Sequence, residues 1–549
     1  MSYKLFFLLY NVPTTLNFQL STLHFQLSTF NLIMGVIAKQ SIRGTVVTYL
    51  GIAVGVVTTF FVLTRFLTTE EIGLARVLID AATLFIGLAQ LGTNASIIRF
   101  YPYFSNPETK PQAQTDVSHQ TSDPDHGFFF WALVVPFIGF LLFALVYWLC
   151  RVPLGAWFGD KSPLFVEYYY FVLPLAFFML YQTICESTCN VLMHIVVPRA
   201  VRELIVRVGL LAIYLLYAFR CISIDGLVIG ICINYAVAAF INICYFFSLK
   251  RINLRPDWNF LRANKSLVTR YLVYTGFLLL SAITTVLAPT LSSFFVTAKM
   301  GLDSTGIFAI ATYMAVMVSV PNRSVAAIAS PQLARAIKEN NREECSHLLG
   351  QVTRNMLLIG GFILLIIWCN IDLIFHILPN GATFAAAKNV VLILGVSQLV
   401  LATFSICFTA LNYSRYYAFS LIFSLLLTVS ALLLNNYLVP LYGMEGAALS
   451  NLLSYGLYYL LIIATVVPLC RFRVVDKRWW MILLLLIVLF ALNYAWCMYV
   501  PSINIWLDSI LRSFVLIGGG AFIAYKAKLS PEVNEQIKKS FDFRLSTFD

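Results

Sequence analysis

The chain has 549 residues, a net charge of +12 and a mean hydropathy of +0.83, with 60% of residues hydrophobic and 11% charged. Soluble globular domains carry roughly a quarter charged residues, so the composition excludes a soluble enzyme and points to an all-α polytopic membrane protein. The basic excess reads as retention of cytoplasmic loops and attraction to anionic headgroups, not as affinity for nucleic acid.

The first 33 residues differ from the rest. "FQLST" occurs at Phe18–Thr22 and again at Phe25–Thr29, with polar residues on every helical face. Lys4 before a short apolar run to Tyr10 leaves a signal peptide open, although the run is short and no A-x-A-like site follows. "MGVIAKQSIRGT" begins at Met34 and puts basic residues directly before a long apolar stretch, so residues 1–33 read as an over-called extension.

A hydrocarbon core of about 30 Å needs roughly 20 apolar residues per helix. On that rule about fourteen transmembrane helices are expected, near 44–66, 76–98, 128–149, 167–190, 203–219, 226–248, 270–297, 305–330, 354–376, 387–411, 417–436, 444–467, 479–499 and 510–527. The basic runs "LKRINLRPDWNFLRANKSLVTR" and "CRFRVVDKR" fall on one side, with most of the remaining Lys and Arg, and that side is cytoplasmic. Both termini are then cytoplasmic, and so is the polar loop from Arg99 to Gly127.

The turn "LTTEEIGLA" (67–75) resembles "MGLDSTGIF" (300–308): an acid stands at the fourth position of each and Gly at the seventh, 233 residues apart. "DGLVIGICINYAVAAFINI" from Asp225 resembles "YGMEGAALSNLLSYGLYYL" from Tyr442 at an offset of 217. Spans one to six therefore repeat as spans seven to twelve in parallel orientation. The expected organisation is an N-terminal lobe (34–250), a basic cytoplasmic linker (251–269), a C-terminal lobe (270–467), two further spans (468–527) and a cytoplasmic tail (528–549).

Polar residues form stripes on two of these spans. Asp80, Thr83, Gly87, Gln90 and Asn94 follow 3, 4, 3, 4 spacing on one face, and Arg76 stands four residues before Asp80. Thr312, Ser319, Arg323 and Ser330 do the same at 7, 4 and 7. The 233 offset maps Gln90 onto Arg323, which lies about 27 Å of helix from the outer end. An arginine facing lipid is costly, so Arg323 faces protein or water, either as a substrate ligand or as half of an ion pair locking two helices. Gln90 and Asn94 are cavity residues or ordinary interhelical hydrogen bonds. Glu186, four residues after Gln182, reads first as snorkelling at a helix end. Asp80 and Glu186 are also the candidates for ion coupling or gating. Pro136, Pro174, Pro289 and Pro321 mark kinks or hinges. No G-x-x-x-x-G-K-[ST] loop and no H-E-x-x-H is present, so catalytic residues, a metal and an ATP engine are not expected. The eleven cysteines read as small hydrophobes.

"TRFLTTEEIGLARVLIDAATLFIGLAQLGTNASIIRFYP" (Thr64–Pro102) resembles the first hairpin of polysaccharide and O-antigen flippases, in the multidrug/oligosaccharidyl-lipid/polysaccharide (MOP) exporter superfamily. Leu91-Gly92, Arg99 and Tyr101-Pro102 fill the family pattern, and "LVPLYGMEGAALSNLLSYGLYYL" (Leu438–Leu460) resembles its other recurring stretch. The resemblance implies two six-helix lobes in a V. It also implies export of undecaprenyl-pyrophosphate-linked oligosaccharide, such as an O-antigen, capsule or exopolysaccharide unit, from the cytoplasmic to the outer leaflet of a bacterial inner membrane. It implies a cationic cavity as well, for which Arg323 is the clear candidate. Without ATP, transport would draw on the membrane potential, a proton or sodium gradient, or product removal. The expected partners are the lipid-linked oligosaccharide and the bilayer, with a polysaccharide polymerase and glycosyltransferases acting beside it. The alternatives are a cation-coupled multidrug exporter, which would need deep acidic residues, and a membrane polysaccharide polymerase or ligase, which would need a large outer loop.

Overall fold

A computed structural model describes residues 47–94, 96–97, 100–101, 127–192, 194–249, 255–256, 258, 262, 265–500, 504–532 and 534. The expected start at Met34 and most of the Arg99–Gly127 loop lie outside the described residues.

Helix starts are set by local chemistry. Helix α1 (Val47–Phe66) ends at Leu67, whose backbone is extended (φ −103°, ψ 147°). Thr68 then caps α2 (Thr69–Ala89): its hydroxyl accepts from the Glu71 amide at 3.3 Å, and Glu71 accepts from the Thr68 amide at 2.9 Å. This capping box satisfies two orphan donors at once. Glu70 and Glu71 therefore belong to the first turn of a helix and not to a free loop, and Glu71 also accepts from the Tyr217 hydroxyl.

The chain continues through α3 (Phe128–Leu149), α4 (Tyr169–Val191), α5 (196–218) and α6 (Ile224–Ser248). Helix α5 contains a π segment at Val201–Ile205. The second half begins with α7 (Lys265–Met300), which starts inside the expected linker. Gly301, at φ 95°, turns the chain into α8, built from Leu302–Val316, a 3-10 turn at Met317–Ser319, and Val320–Lys338. Then come α9 (Arg342–Cys369) and α10 (Gly381–Tyr413). The apolar run Ala418–Leu469 is broken at Gly443 (φ 60°, ψ −132°) into α11 (418–442) and α12 (444–469). Left-handed φ at that position suits glycine. Helices α13 (Lys477–Tyr499) and α14 (Ile505–Lys526) are the last of the described helices of membrane-spanning length.

Eleven of the described helices are long and apolar enough to cross a membrane. That criterion alone does not give the expected fourteen: it counts Ala418–Leu469 once and leaves out α5 and α7. The protein is an all-α, multi-pass membrane protein with two helical lobes. In the first, α2 and α6 pack on α4; in the second, α10 packs on α8, α9 and the α11–α12 run. The lobes meet where α2 lies against α7 and α8.

That meeting is reciprocal. A Cβ on Gly73 would sit 2.1 Å from the Leu302 carbonyl oxygen, and one on Gly306 would sit 1.9 Å from that of Thr69. Residues 69 and 302, and 73 and 306, are each separated by the 233-residue offset of the repeat. The two glycines thus touch across a local two-fold relation, where only small residues let helix backbones approach so closely. The Thr69 hydroxyl adds a 2.6 Å bond to Asp303. The Ser162 hydroxyl bonds the Thr297 carbonyl at 2.8 Å, and Asn380 donates to the Thr64 carbonyl at 2.9 Å. This end of the molecule, carrying the Leu67–Thr68 turn, is joined tightly.

Candidate functional site

Charged side chains converge where α2, α5 and α8 come together. Arg76 Nε lies 2.8 Å from Asp80 Oδ2 on α2, and its guanidinium covers the Tyr313 ring of α8 at 5.3 Å from the centroid. Asp80 is buried at 6% exposure. A buried carboxylate survives only when it is paired, and i,i+4 geometry supplies the partner.

Helix α5 carries a second set. Arg207 Nη2 meets Glu203 Oε2 at 2.8 Å, and Arg202 bridges Glu203 at 3.3 Å and Glu186 of α4 at 2.9 Å. Glu186 and Glu203 are both buried. Helix α1 seats itself on this set through glycines. A Cβ on Gly51 would lie 2.0 Å from the Glu203 carbonyl oxygen, and one on Gly55 would lie 3.1 Å from Arg207 Nη1.

Arg323 of α8 completes the cluster from the second lobe. It is exposed and forms no ion pair or hydrogen bond among the described residues. Its neighbours hold the segment in place: the Ser324 hydroxyl lies 3.4 Å from the Tyr49 hydroxyl of α1, and Asn322 accepts from Ser405 of α10 at 3.0 Å. The like charges of Arg323 and Arg207 oppose each other, more weakly than Glu203 attracts Arg207. Arg76, Arg202 and Arg207 are thus matched to Asp80, Glu186 and Glu203, whereas Arg323 and Arg199 hold no carboxylate among the described residues. Such a place attracts an anion.

No family model and no curated protein sequence matches the chain. Its structure is similar to that of lipid II flippase MurJ in an inward closed conformation, with a TM-score of 0.64, 13% identity, and coverage of 88% of this chain and 99% of that one. It is also similar to an inward-facing multidrug resistance MATE family transporter of the MOP superfamily, with a TM-score of 0.56, 13% identity, and coverage of 77% and 96%. The chain shares the fold of these two solved structures. A mutant of the Vibrio cholerae MATE transporter VcmN aligns likewise, with a TM-score of 0.52, 16% identity, and coverage of 79% and 98%.

Within this fold the residues anticipated from sequence do not form one site. Arg76 and Asp80 pair, and Arg323 stands between the lobes. The expected continuous stripe on the second span is broken: α2 stops at Ala89, Gln90 is its C-cap, and Leu91 (φ 48°) and Gly92 (φ 72°) turn the chain. Gln90 and Asn94 are therefore not on one helical face with Asp80. Gln90 at a helix end is also not the local counterpart of Arg323, which lies inside a helix. Asn94 instead accepts from the Ser187 hydroxyl of α4. The hydroxyls of Thr83, Thr312 and Ser319 donate to Ile79, Phe308 and Val316 carbonyls of their own helices, at 2.7, 2.8 and 3.0 Å. Glu186 does not snorkel to water; burial against Arg202 replaces hydration with an ion pair.

Arg207, Glu203, Arg202 and Tyr313 were not anticipated. In "RAVRELIVR" (199–207) the arginines read as an ordinary cytoplasmic basic run. The available signal was Glu203 four residues before Arg207, a helical pairing inside an apolar stretch.

Proposed function

We propose that this MOP-fold protein is a flippase for an anionic, lipid-linked oligosaccharide, of the undecaprenyl-pyrophosphate class, working by alternating access in a bacterial inner membrane with both termini cytoplasmic. The observation that carries the reading is Arg323: an exposed arginine, one residue from the Ser324–Tyr49 contact between the lobes and without an ion pair among the described residues, is free to take a phosphate group. The structural likeness to a lipid II flippase over 88% of the chain supports a lipid-linked substrate. A pyrophosphate headgroup with sugars cannot cross hydrocarbon unaided. A polar space between lobes can hold it while the lipid tail stays in the bilayer. Arg323 and Arg207 bind the anion; Arg76, with Asp80 and Tyr313, forms the polar wall toward the joined end; Gln90 and Asn94 serve at the opposite end of α2. A cation exporter would need free acidic groups, and Asp80, Glu186 and Glu203 each already hold an arginine. Coupling to the membrane potential or to a proton or sodium gradient, and action beside a polymerase and glycosyltransferases, belong to this reading.

Deleting the gene is expected to accumulate lipid-linked oligosaccharide on the cytoplasmic leaflet, measured by leaflet-selective labelling of the glycan. Unchanged leaflet distribution would remove the flippase reading.

A further inference from the structure

Helices α13 and α14 are tied to α9 at both ends. At the end carrying the basic run, Arg354 of α9 holds Asp476 and Glu532. At the opposite end the three helices meet in a polar knot. Arg512 of α14 is buried, with its side chain 4% exposed. Its Nη2 lies 3.1 Å from Asp508 Oδ2, and its Nη1 donates to Cys497 Sγ of α13 at 2.7 Å. Asp508 also accepts from Trp496 Nε1 at 2.8 Å. Asn370, just past the end of α9, exchanges hydrogen bonds with the Ser513 hydroxyl at 2.8 and 3.1 Å.

These contacts bring two cysteines together. Cys369 is the last residue of α9, and Cys497 stands two residues before the end of α13. Asn370 follows Cys369 and holds Ser513; Arg512 precedes Ser513 and holds Cys497. The Cys369 thiol is close enough to feel both the Arg512 charge and the Cys497 thiol. Their surroundings differ. Cys369 is wholly buried, packed with Leu365, Leu489 and Leu516, whereas Cys497 is exposed near the turn into α14. An accessible thiol backed by a second one is the arrangement of attacking and resolving cysteines.

We propose that Cys497 and Cys369 are a redox modification site, closing to a disulfide that joins α13 to α9. The Cys497 thiolate attacks one sulfur of a small external disulfide and releases the first thiol. Cys369 then attacks the Cys497 sulfur of the mixed disulfide and releases the second. Two protein thiols are oxidised, the external disulfide is reduced to two thiols, and the protons leave the protein sulfurs for the departing ones. The product pins the α13–α14 hairpin at the end opposite Arg354. In the orientation proposed above this end faces the outer side of the membrane, where disulfides persist. The exchange itself does not depend on the flippase reading.

The full chain in nanodiscs, treated with oxidised glutathione, alkylated, digested and read by mass spectrometry, tests this. A peptide pair linked through Cys369 and Cys497 should form in the unsubstituted chain and be lost on reduction with dithiothreitol. Cys369→Ser should instead accumulate glutathione on Cys497, because the second step is removed. Cys497→Ser should leave Cys369 unmodified, because the buried thiol is not reached first. Absence of the linked pair in the unsubstituted chain, or equal glutathione on the remaining cysteine of the two variants, would overturn the proposal while leaving the flippase reading standing.

Discussion

In the first lobe Arg76, Arg202 and Arg207 each meet a carboxylate at 2.8 to 2.9 Å, whereas in the second Arg323 meets none among the described residues. The two lobes carry the same acid–glycine turn 233 residues apart and touch through those glycines, so the difference does not come from that shared contact. It lies in which charges have been given partners. Paired charges hold helices together, and their loss leaves a buried ion. An unpaired charge contributes little to folding and is free to act on a ligand. The same logic separates two arginines of the second lobe. Arg354 is buried and clamped by Asp476 and Glu532, each at 2.7 Å, where α9 meets the start of α13 and the tail. It is an anchor, and Arg323 is not.

Breaking a pair in the first lobe should have the largest effect. Arg76→Ala leaves Asp80 buried without a partner, which costs about 3–5 kcal/mol. A fall in the melting temperature of the purified protein, absent in Arg76→Lys, is the expected outcome; equal melting of Arg76→Ala and the parent would mean that Asp80 is hydrated.

The shared glycine contact is next. Gly306→Ala puts a methyl group against the Thr69 carbonyl and should disfavour the joined arrangement by about 1–3 kcal/mol. Cysteines at positions 69 and 303, whose native side chains are 2.6 Å apart, should cross-link readily in the parent and much more slowly in the Gly306→Ala background. Equal cross-linking would mean that this end yields easily.

Gln90 sharpens the comparison differently, because it makes no side-chain hydrogen bond among the described residues. Gln90→Leu should leave melting within about 0.5 kcal/mol of the parent. Gln90→Cys should react with a small hydrophilic thiol reagent, and Leu78→Cys, in the buried core, should not. Equal labelling of the two would remove Gln90 from the water-accessible end of α2.

The smallest effect concerns the tail anchor. Burial pushes the Glu532 carboxyl up, but its own backbone amide, Arg354 and Ser530 together hold it below the usual carboxylate range. A depressed carboxylate contributes stability above its unfolded value, near pH 4.3, and loses it as pH falls through the folded value. Partial exposure limits this to about 1 kcal/mol or less. Glu532→Gln should therefore flatten the stability profile below about pH 4.3 and leave it unchanged in shape above.

The fold was legible because span length, basic loops and the acid–glycine turns are local signals. The 233-residue offset located Gly73 and Gly306 before their contact was seen. The site was only partly legible. The Arg76–Asp80 pair follows from i,i+4 spacing and needs no tertiary knowledge. The stripe through Gln90 and Asn94 failed because periodicity assumes an unbroken helix, and Leu91-Gly92 adopts left-handed backbone that the spacing does not reveal. Arg207 was hidden by its surroundings in sequence. Next to Arg199 and Arg202 it resembles a retention signal, and only the packing of α1 through Gly51 and Gly55 shows that it lies inside the bundle.

The central claim is that Arg323 is left unpaired in order to bind the anionic group of the substrate. The direct measurement is the affinity of the protein in nanodiscs for an undecaprenyl-pyrophosphate-linked oligosaccharide, compared between the parent, Arg323→Ala and Arg323→Lys. Loss of charged hydrogen bonds predicts weakening by about 10- to 100-fold for Arg323→Ala. Part of the affinity should return in Arg323→Lys, with the melting temperature of both unchanged or raised by relief of the repulsion with Arg207. Unchanged affinity in Arg323→Ala, or weakening matched by a collapse in melting temperature, would contradict it.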